Sequence, residues 1–277
     1  GMYRYRASIK NNQLTGWHLI AAAANSPNAS RENNFPAGAV PNFRVDSHNY
    51  QTAITVGPWR APNHNFIAFT EESFIDEIAL ELGKDPVAFR LELLERAKSQ
   101  PTGTVAYEPD RYIAVVKRAA EMGNWGRQGE KGIFKDFGAH FSFGTYVAQV
   151  ADISIVNGKV KVHKVYCAVD CGRVINLSGA ETQIEGGIID GLGHMLYGEI
   201  TFKNGEVEQK NFNTYRLIRI PDAPEIEVQF INTGAEPQGL GEPGLPPIGA
   251  AVANAIFAAT GKRIRRLPVG DLSENRL

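Results

Sequence analysis

Cysteine is scarce in this chain of 277 residues, which contains only Cys167 and Cys171. Two thiolates cannot complete a zinc ribbon or ligate a two-iron cluster, because each of those centres needs four protein ligands. Any iron–sulfur centre that the chemistry requires is therefore expected on another chain. Both cysteines fall in an apolar run that predicts a buried strand, where core packing is the expected role and redox chemistry the alternative.

A charge excess of either sign is also missing, and so are long apolar runs. The 29 basic and 30 acidic side chains give a net charge of -1, which excludes the basic footprint of a nucleic-acid-binding protein or of a polybasic membrane surface. No stretch reaches the roughly 18 apolar residues of a membrane span. The 43% hydrophobic and 21% charged residues are typical of an ordinary globular protein, and the length allows one large domain or two smaller ones.

Several catalytic signatures are absent as well. The sequence has no Walker A motif for phosphate binding and no G-x-S-x-G motif for a serine nucleophile. Its histidines form no pair at the i, i+4 spacing that places two zinc ligands on one helix face, so a metal held by side chains is not predicted. The six histidines are at positions 18, 48, 64, 140, 163 and 194.

The periodicity of apolar residues predicts strands and then helices in the first half. Residues 3–56 alternate short apolar runs with turn-rich stretches, which predicts short strands around a long loop. Helical spacing of apolar residues follows and ends at Gly83. Asp85 and Pro86 suit the cap and the first position of a second helix, and Asp110 is expected to cap a third.

The pattern changes to that of a hairpin near residue 146. Alternating apolar residues flank Asn157-Gly158, the strongest two-residue hairpin signal. A slip in the alternation after Val162 predicts a bulge in the second strand. A helix with five glycines follows, and those glycines indicate the close approach of another backbone or of a ligand.

The last part of the chain surrounds one more helix with loops and strands. A Gly- and Pro-rich loop at 234–247 leads into a helix that ends at Gly261, and the segment 264–269 predicts a short closing strand. Together these patterns predict a mixed α+β fold in which helices pack on hairpins and mixed sheets. The change of pattern divides the chain into two portions, 3–125 and 132–270.

A loop before the last helix is the sharpest chemical feature, because it spells the G-x-G-x-x-G of a dinucleotide-binding turn. The context is wrong for that fold, since only 33 residues follow Gly244 and Pro243 stands where the helix should already have begun. What remains is a bare backbone around one rigidly placed glutamate, Glu242. Such a residue suits a general base, and an ordinary exposed loop acid is the alternative. The loop reads Gly239-Leu240-Gly241-Glu242-Pro243-Gly244.

Two further side chains are candidates for ligand binding. Arg60 lies just ahead of the first long helix, where its donors could meet an anion or a carbonyl-rich cofactor; a surface arginine before a turn is the alternative. Gln183 could present its amide to a heterocycle or simply cap the glycine-rich helix. Neither residue decides between these roles by itself.

Three separated segments carry a family resemblance when they are taken in order. They are Gly57-Pro58-Trp59-Arg60-Ala61-Pro62 before Glu72-Ser73-Phe74-Ile75-Asp76-Glu77, Val169-Asp170-Cys171-Gly172-Arg173-Val174-Ile175-Asn176 before Gln183-Ile184-Glu185-Gly186-Gly187, and the 239–244 loop. The chain resembles the molybdopterin-binding large subunits of the xanthine oxidase family from about residue 3 to residue 269. Within that family it is most similar to isoquinoline 1-oxidoreductase beta subunits and to membrane-bound or periplasmic aldehyde dehydrogenases. Asn63 departs from the pattern, because the family usually has glycine there.

The resemblance implies a molybdopterin cofactor, in dinucleotide form, whose dithiolene holds the metal without any protein ligand. Glu242 matches the family's essential glutamate. That residue is the general base that accepts a proton while water-derived oxygen is added to an electron-poor carbon of an N-heteroaromatic ring or an aldehyde. Gln183 matches a glutamine that hydrogen-bonds the cofactor, and Arg60 matches an arginine beside it. The other residues implied to line the site are Gly239, Leu240, Gly241, Pro243 and Gly244.

The resemblance also implies that the chain works only in an assembly. Family large subunits are more than twice as long, and their upstream Gly-Gly-x-Phe-Gly and Gly-Gln-Gly loops have no counterpart in this sequence. We therefore expect the C-terminal portion of such a subunit, with 3–125 and 132–270 as portions of two molybdopterin-binding subdomains. The implied partners are the N-terminal remainder of the subunit and a small subunit with two [2Fe-2S] clusters. A non-catalytic fragment or assembly partner is the alternative, and the compartment stays open.

Overall fold

Two larger β-sheets, one two-stranded hairpin and five α-helices make up the fold of the described residues. The computed structural model describes residues 1–26, 29–127 and 129–273. Within them, no helix has both the length and the apolar character needed to cross a membrane. In chain order the elements are β1 (Met2–Lys10), β2 (Gln13–Ala24), β3 (Asn42–Tyr50), α1 (His64–Glu81), α2 (Pro86–Ser99), α3 (Pro109–Met122), β4 (Phe134–Ser142), β5 (Thr145–Val156), β6 (Lys159–Asp170), α4 (Leu177–Leu196), β7 (Phe202–Lys203), β8 (Glu206–Val207), β9 (Glu225–Phe230) and α5 (Pro246–Thr260).

The first sheet contains β1, β2 and β3 in that order. β1 and β2 are antiparallel across a turn in which Asn11 and Asn12 both have positive φ angles. β3 runs parallel to β2 after a long connection. The predicted strands around a long loop are therefore confirmed, but at 9, 12 and 9 residues the strands are longer than expected.

The first two helices begin and end as their sequence signals indicate. α1 is followed by Gly83 at a φ of 65°, a left-handed conformation that glycine adopts freely. The side chain of Asp85 caps α2 by accepting a hydrogen bond from the backbone N–H of Ala88 at 2.8 Å, and Pro86 takes the first helical position. Both predictions are confirmed.

The predicted cap of α3 is wrong. Asp110 lies within the first turn, because Pro109 occupies the first helical position, for which its fixed φ angle is suited. Glu108 is the N-cap residue, and its backbone N–H donates to the hydroxyl of Tyr146 at 2.7 Å. Asp110 instead pairs with Lys98 on the surface.

The second sheet has the strand order β4, β5, β6, β9, with β9 parallel to β6 and the other pairs antiparallel. The β5–β6 hairpin turns at Asn157-Gly158, as predicted. Pairing then shifts, because Asp152 faces Lys164 while the next residue of β5 faces Val162. His163 is the extra residue of this bulge, so the predicted slip is confirmed as well.

The closing strand predicted at 264–269 does not form. Pro268 lacks a backbone donor, which disfavours ladder pairing in this segment. The backbone N–H of Val269 donates to the carbonyl of Met195 at 2.7 Å, and that of Gly270 donates to the carbonyl of Leu196 at 3.3 Å. The segment thus satisfies carbonyl groups at the end of α4 instead of extending a sheet.

β5 separates two hydrophobic cores, because alternate side chains of a strand point to opposite faces. One face packs against α3 and the other against α5. Cys167 and Cys171 lie in the second core as buried free thiols, and burial raises the pKa of Cys167 to about 12. These positions confirm the expected core packing of both cysteines. The β5 residues of the first core are Tyr146, Ala148 and Val150, and those of the second are Val147, Ala151 and Ile153.

Glu71 on α1 provides a prediction about stability and pH. The residue is only 4% exposed, and burial together with the neighbouring Glu72 raises the pKa of its carboxyl well above the usual value, with partial opposition from Arg31. The folded state therefore holds the proton more tightly than the unfolded state does. The resulting contribution to stability is present below the unfolded pKa and is lost as pH rises through the folded pKa.

We expect Glu71→Gln to raise the free energy of unfolding at pH 8 by about 1 kcal/mol or more, because the amide cannot ionise. The gain should shrink as the pH is lowered towards 5, where wild-type Glu71 takes up its proton. Urea denaturation of both proteins at each pH measures the effect. Glu95→Gln, at an exposed position on α2, is the matched control and should change stability little; an equal gain in the control would contradict the assignment.

Candidate cofactor site

The glycine-rich loop between β9 and α5 is fixed to β5 at both ends. Thr145 Oγ1 donates to the carbonyl oxygen of Gly239 at 3.0 Å, and Gln149 Nε2 donates to that of Gly244 at 2.8 Å. Thr145 and Gln149 are fully buried and lie four residues apart, so they share one face of the strand. Sequence analysis missed both, although polar residues at even spacing in an otherwise apolar strand are a signal that could have found them.

The loop and the turn before α1 are joined by reciprocal hydrogen bonds. Arg60 Nε donates to the carbonyl oxygen of Gly241 at 2.6 Å, and the backbone N–H of Ala61 donates to Glu242 Oε1 at 3.1 Å. Each segment thus contributes one side chain and one backbone group. Glu242 is only partly buried, so its carboxylate is oriented by the protein and can still be reached from solvent.

The guanidinium of Arg60 also contacts α4. Its Nη2 donates to the backbone carbonyl of Gln183 at 3.1 Å and lies 3.4 Å from Gln183 Oε1, while its Nη1 lies 3.7 Å from Asp190 Oδ2. Arg60, Gln183 and Glu242, which the sequence analysis selects from three distant segments, therefore lie together in the folded chain. Asp190 is an additional charged neighbour that the sequence analysis did not select.

The turn that carries Arg60 has a strained backbone. Ala61 and Asn63 both have positive φ angles, 57° and 66°, and Ala61 is completely buried. This conformation costs a residue with a side chain roughly 1–2 kcal/mol, although asparagine tolerates it better than most. The geometry explains how Asn63 can stand where the family usually has glycine. Strain of this kind is concentrated at functional sites, and here it adjoins the N–H group that holds Glu242.

Glycines allow α4 to approach the loop closely. A Cβ atom at Gly187 would lie 3.2 Å from the backbone nitrogen of Leu245, and one at Gly191 would lie 3.0 Å from the Leu245 carbonyl oxygen. On the loop side, a Cβ at Gly244 would lie 2.8 Å from the carbonyl oxygen of Ile184. The predicted close approach of backbones is confirmed at these positions.

The six residues of the predicted loop site divide into exposed and buried positions. Gly239 and Gly241 are exposed, and a Cβ added at Gly239 would meet nothing within 4 Å. Leu240 is partly buried against the second core. Pro243 and Gly244 are buried beneath the loop. Bare, accessible backbone is therefore present in the first half of the loop, next to Glu242.

These residues fit a molybdopterin cofactor. A pterin and its phosphate groups are rich in nitrogen and oxygen acceptors, which suit the guanidinium of Arg60 and the exposed amide of Gln183. The missing side chains at Gly239 and Gly241 leave room for such a group to approach the backbone. Among residues 1–26, 29–127 and 129–273, no three His, Cys, Asp or Glu side chains group so as to hold a metal ion.

Asp170, from the second of the three segments that carry the family resemblance, forms hydrogen bonds that fix the chain just before the glycine-rich loop. Arg111 donates to both of its carboxylate oxygens at 2.8 Å, and Gly172 and Thr233 donate to Oδ1. Burial would raise the pKa of Asp170, but the hydrogen bonds from Arg111 and Gly172 outweigh it, and the pKa lies below the usual value. The residue therefore joins α3, the end of β6 and the start of the loop region as an ionised anchor.

The architecture has a counterpart among solved structures. Quinoline 2-oxidoreductase from Pseudomonas putida 86 superposes with a TM-score of 0.74 at 13% identity, covering 95% of this chain and 61% of that chain. The fold is thus that of a molybdenum hydroxylase large subunit. A family model described as a molybdopterin cofactor-binding domain matches residues 86–224, half of the chain.

Curated relatives agree with the family match. A membrane-bound aldehyde dehydrogenase [pyrroloquinoline-quinone] of Gluconacetobacter polyoxogenes is 36% identical over 220 residues, which cover 76% of this chain and 28% of the relative. The isoquinoline 1-oxidoreductase subunit beta of Brevundimonas diminuta is 32% identical over 240 residues, 83% of this chain and 29% of the relative. The chain belongs to the xanthine oxidase family of molybdenum-binding large subunits, and it spans less than a third of the length of these two relatives.

Proposed function

We propose that this chain is part of a molybdopterin-dependent oxidoreductase that hydroxylates a carbon atom of an N-heteroaromatic ring or an aldehyde. The overall reaction converts the substrate C–H bond and water to C–OH, two electrons and two protons. Family membership supports the class of chemistry, and the names of the two relatives support the two substrate classes. The observation that carries the proposal is the convergence of Arg60, Gln183 and Glu242 from three distant segments.

Glu242 is the proposed general base. A base must be held in one orientation and must reach the proton it accepts. The N–H group of Ala61 provides the first condition, and the partial exposure of the carboxylate provides the second. When bound, the molybdenum cofactor supplies the two-electron acceptor. Glu242 then takes a proton from the water-derived nucleophile as the new C–O bond forms.

Arg60 and Gln183 are the proposed cofactor-binding side chains. Arg60 donates to the carbonyl oxygen of Gly241 in the loop, and the exposed side-chain amide of Gln183 lies beside its guanidinium. The rest of the proposed lining consists of Gly239, Leu240, Gly241, Pro243 and Gly244. We also propose the pterin in its dinucleotide form.

The proposed enzyme is an assembly. Its proposed partners are the N-terminal remainder of the large subunit, in keeping with the greater length of the relatives, and a small subunit with two [2Fe-2S] clusters that would remove the electrons. The segments 3–125 and 132–270 are proposed as portions of two molybdopterin-binding subdomains. Each contains one of the larger sheets, although the first hydrophobic core includes residues of both. The alternative is a non-catalytic fragment or assembly partner with the same fold.

Metal analysis of the native protein tests the proposal. We expect near-stoichiometric molybdenum, measured by elemental mass spectrometry, when the chain is purified gently from its host together with its partners. Arg60→Ala should lower the molybdenum content, whereas Arg44→Ala, at a surface arginine of β3, should not. Because the name of one relative specifies pyrroloquinoline quinone, the same samples are assayed for that quinone. Quinone in place of molybdenum, or neither group with no copurifying subunit, would refute the proposed function.

A further inference from the structure

We propose that Asp190 is a positioning residue that holds the Arg60 guanidinium against α4 and thereby keeps it from pairing with the carboxylate of Glu242. The inference rests on the proposed function, because it concerns the base of the same site. It adds Asp190 to that site. By pairing with Arg60, Asp190 would keep this arginine from forming an ion pair with Glu242.

Asp190 belongs to a stripe of residues along one side of α4. Gln183, Gly186, Asp190 and His194 are separated by three or four residues each, the spacing that places side chains on one helix face. Arg60 lies along the first three of them. Its Nη1 would be 3.7 Å from a Cβ at Gly186 and is 3.7 Å from Asp190 Oδ2. These distances place the guanidinium directly against this face of the helix.

The acceptors around Arg60 differ in charge. Nε and Nη2 donate to neutral oxygens of Gly241 and Gln183. Within the part of the chain that the structure describes, Asp190 is the one carboxylate that forms an ion pair with Arg60. The side chains of Arg60 and Asp190 are 24% and 38% exposed, so the pair is partly shielded from solvent. Asp190 is thus the anion that faces this guanidinium, at ion-pair distance.

At neutral pH Arg60 is the cationic partner of Asp190, because the other groups that face this carboxylate, His194 and Tyr215, are uncharged. His194 Nε2 lies 3.7 Å from Asp190 Oδ1. Burial lowers the pKa of His194 below its usual value, against the opposing effect of Asp190, so the imidazole is neutral. Burial raises the pKa of Tyr215, and the Asp190 carboxylate raises it further. The ring of Trp59 packs on His194 and places the residue before Arg60 on the same stripe.

Without Asp190, the guanidinium of Arg60 would be free to pair with Glu242, whose carboxylate is held beside the same turn. The Glu242 carboxylate is bound by the N–H of Ala61, the residue that follows Arg60, and Arg60 already contacts the carbonyl of Gly241, the residue before Glu242. A carboxylate paired with an arginine is stabilised in its ionised form, which commonly lowers a pKa by about 1–3 units. Such a group is a weaker base. Asp190 would prevent this by occupying the guanidinium.

Titration of Glu242 in the full chain tests the inference without cofactor or turnover. The δ-carbon of Glu242 is followed by NMR in protein with ¹³C-labelled glutamate, and its signal is assigned by its loss in Glu242→Gln. Asp190→Asn is expected to lower the titration midpoint of Glu242 by about one pH unit. Asp190→Glu should restore the wild-type midpoint. Glu181→Gln removes the same charge nine residues away, on the opposite side of α4, and should leave the midpoint unchanged.

A double variant separates positioning from a direct effect of the Asp190 charge. When Arg60→Gln is present, Asp190→Asn should no longer move the Glu242 midpoint. A shift that persists without Arg60 would overturn the inference, because Asp190 would then act by its own field. An unchanged midpoint in Asp190→Asn alone would overturn it too. Either result is independent of molybdenum content, so a failed inference can be distinguished from a failed proposal of function.

Discussion

Replacing Arg90 with methionine is expected to lower the free energy of unfolding by about 3–5 kcal/mol. Arg90 on α2 is 1% exposed, and its Nε donates to Glu72 Oε2 on α1 at 2.8 Å. Removing the guanidinium leaves the buried Glu72 carboxylate without its cation. That uncompensated charge, more than the loss of the attraction itself, produces the large effect.

The geometry around Arg90 explains why neighbouring groups cannot compensate. Its Nη1 and Nη2 donate to the carbonyl oxygens of Pro86 and Glu72 at 2.9 and 3.0 Å. Glu72 Oε2 also accepts a hydrogen bond from the backbone N–H of Ala139 on β4 at 3.1 Å. One buried ion pair therefore links two helices and a strand. Methionine fills much of the same volume but supplies no donor to these oxygens.

Denaturant unfolding of two further variants checks the reasoning. Lys98→Met on the same helix removes a cation from an exposed pair with Asp110, and such pairs contribute only about 0–1 kcal/mol. The double variant Glu72→Leu with Arg90→Met should be less destabilised than Arg90→Met alone, since the carboxylate that Arg90 pairs with is removed together with its cation. A double variant as unstable as the single one would show that packing, not charge, dominates at this position.

Most helix ends and turns could be predicted from the sequence, because the residues that form them are neighbours in the chain. Asp85 caps α2, Gly83 ends α1 and Asn157-Gly158 closes the β5–β6 hairpin through residues that are neighbours in the chain. β4 was missed because its pattern depends on distant partners. Gly138 allows contact with α5, where a Cβ would lie 2.5 Å from the Pro247 carbonyl oxygen. No alternation within β4 reveals that contact.

The sequence predicted which residues belong to the candidate site but not which of their atoms are in contact. Arg60 is 181 residues from Gly241 and 123 from Gln183, so neither periodicity nor spacing could bring them together. The ordered family segments selected these residues, and the fold shows which atoms meet. Asp190 and Gln149 had no such motif. Their partners are backbone or side-chain groups on other elements, and from the sequence alone they resemble a solvated helix acid and an ordinary strand amide.

Replacing Glu242 with glutamine is expected to reduce turnover of the assembled enzyme by about 100- to 10,000-fold, the usual range for loss of a general acid or base. Glutamine has nearly the same size, and its carbonyl oxygen can still accept the hydrogen bond from the backbone N–H of Ala61. The loop should therefore stay in place, held by Arg60 at Gly241. What the amide cannot do is take up the proton of the attacking water.

The measurement is steady-state turnover together with molybdenum content per chain, so that loss of chemistry is separated from loss of cofactor. Molybdenum content should match the wild type in Glu242→Gln, since Arg60 and Gln183 are the proposed cofactor-binding side chains. Glu236→Gln, an exposed residue of the same loop, removes an equal charge and should retain full turnover. If Glu242→Gln kept turnover within about threefold of the wild type with molybdenum bound, the proton would have another acceptor, and the carboxylate held by Ala61 would have only a structural role.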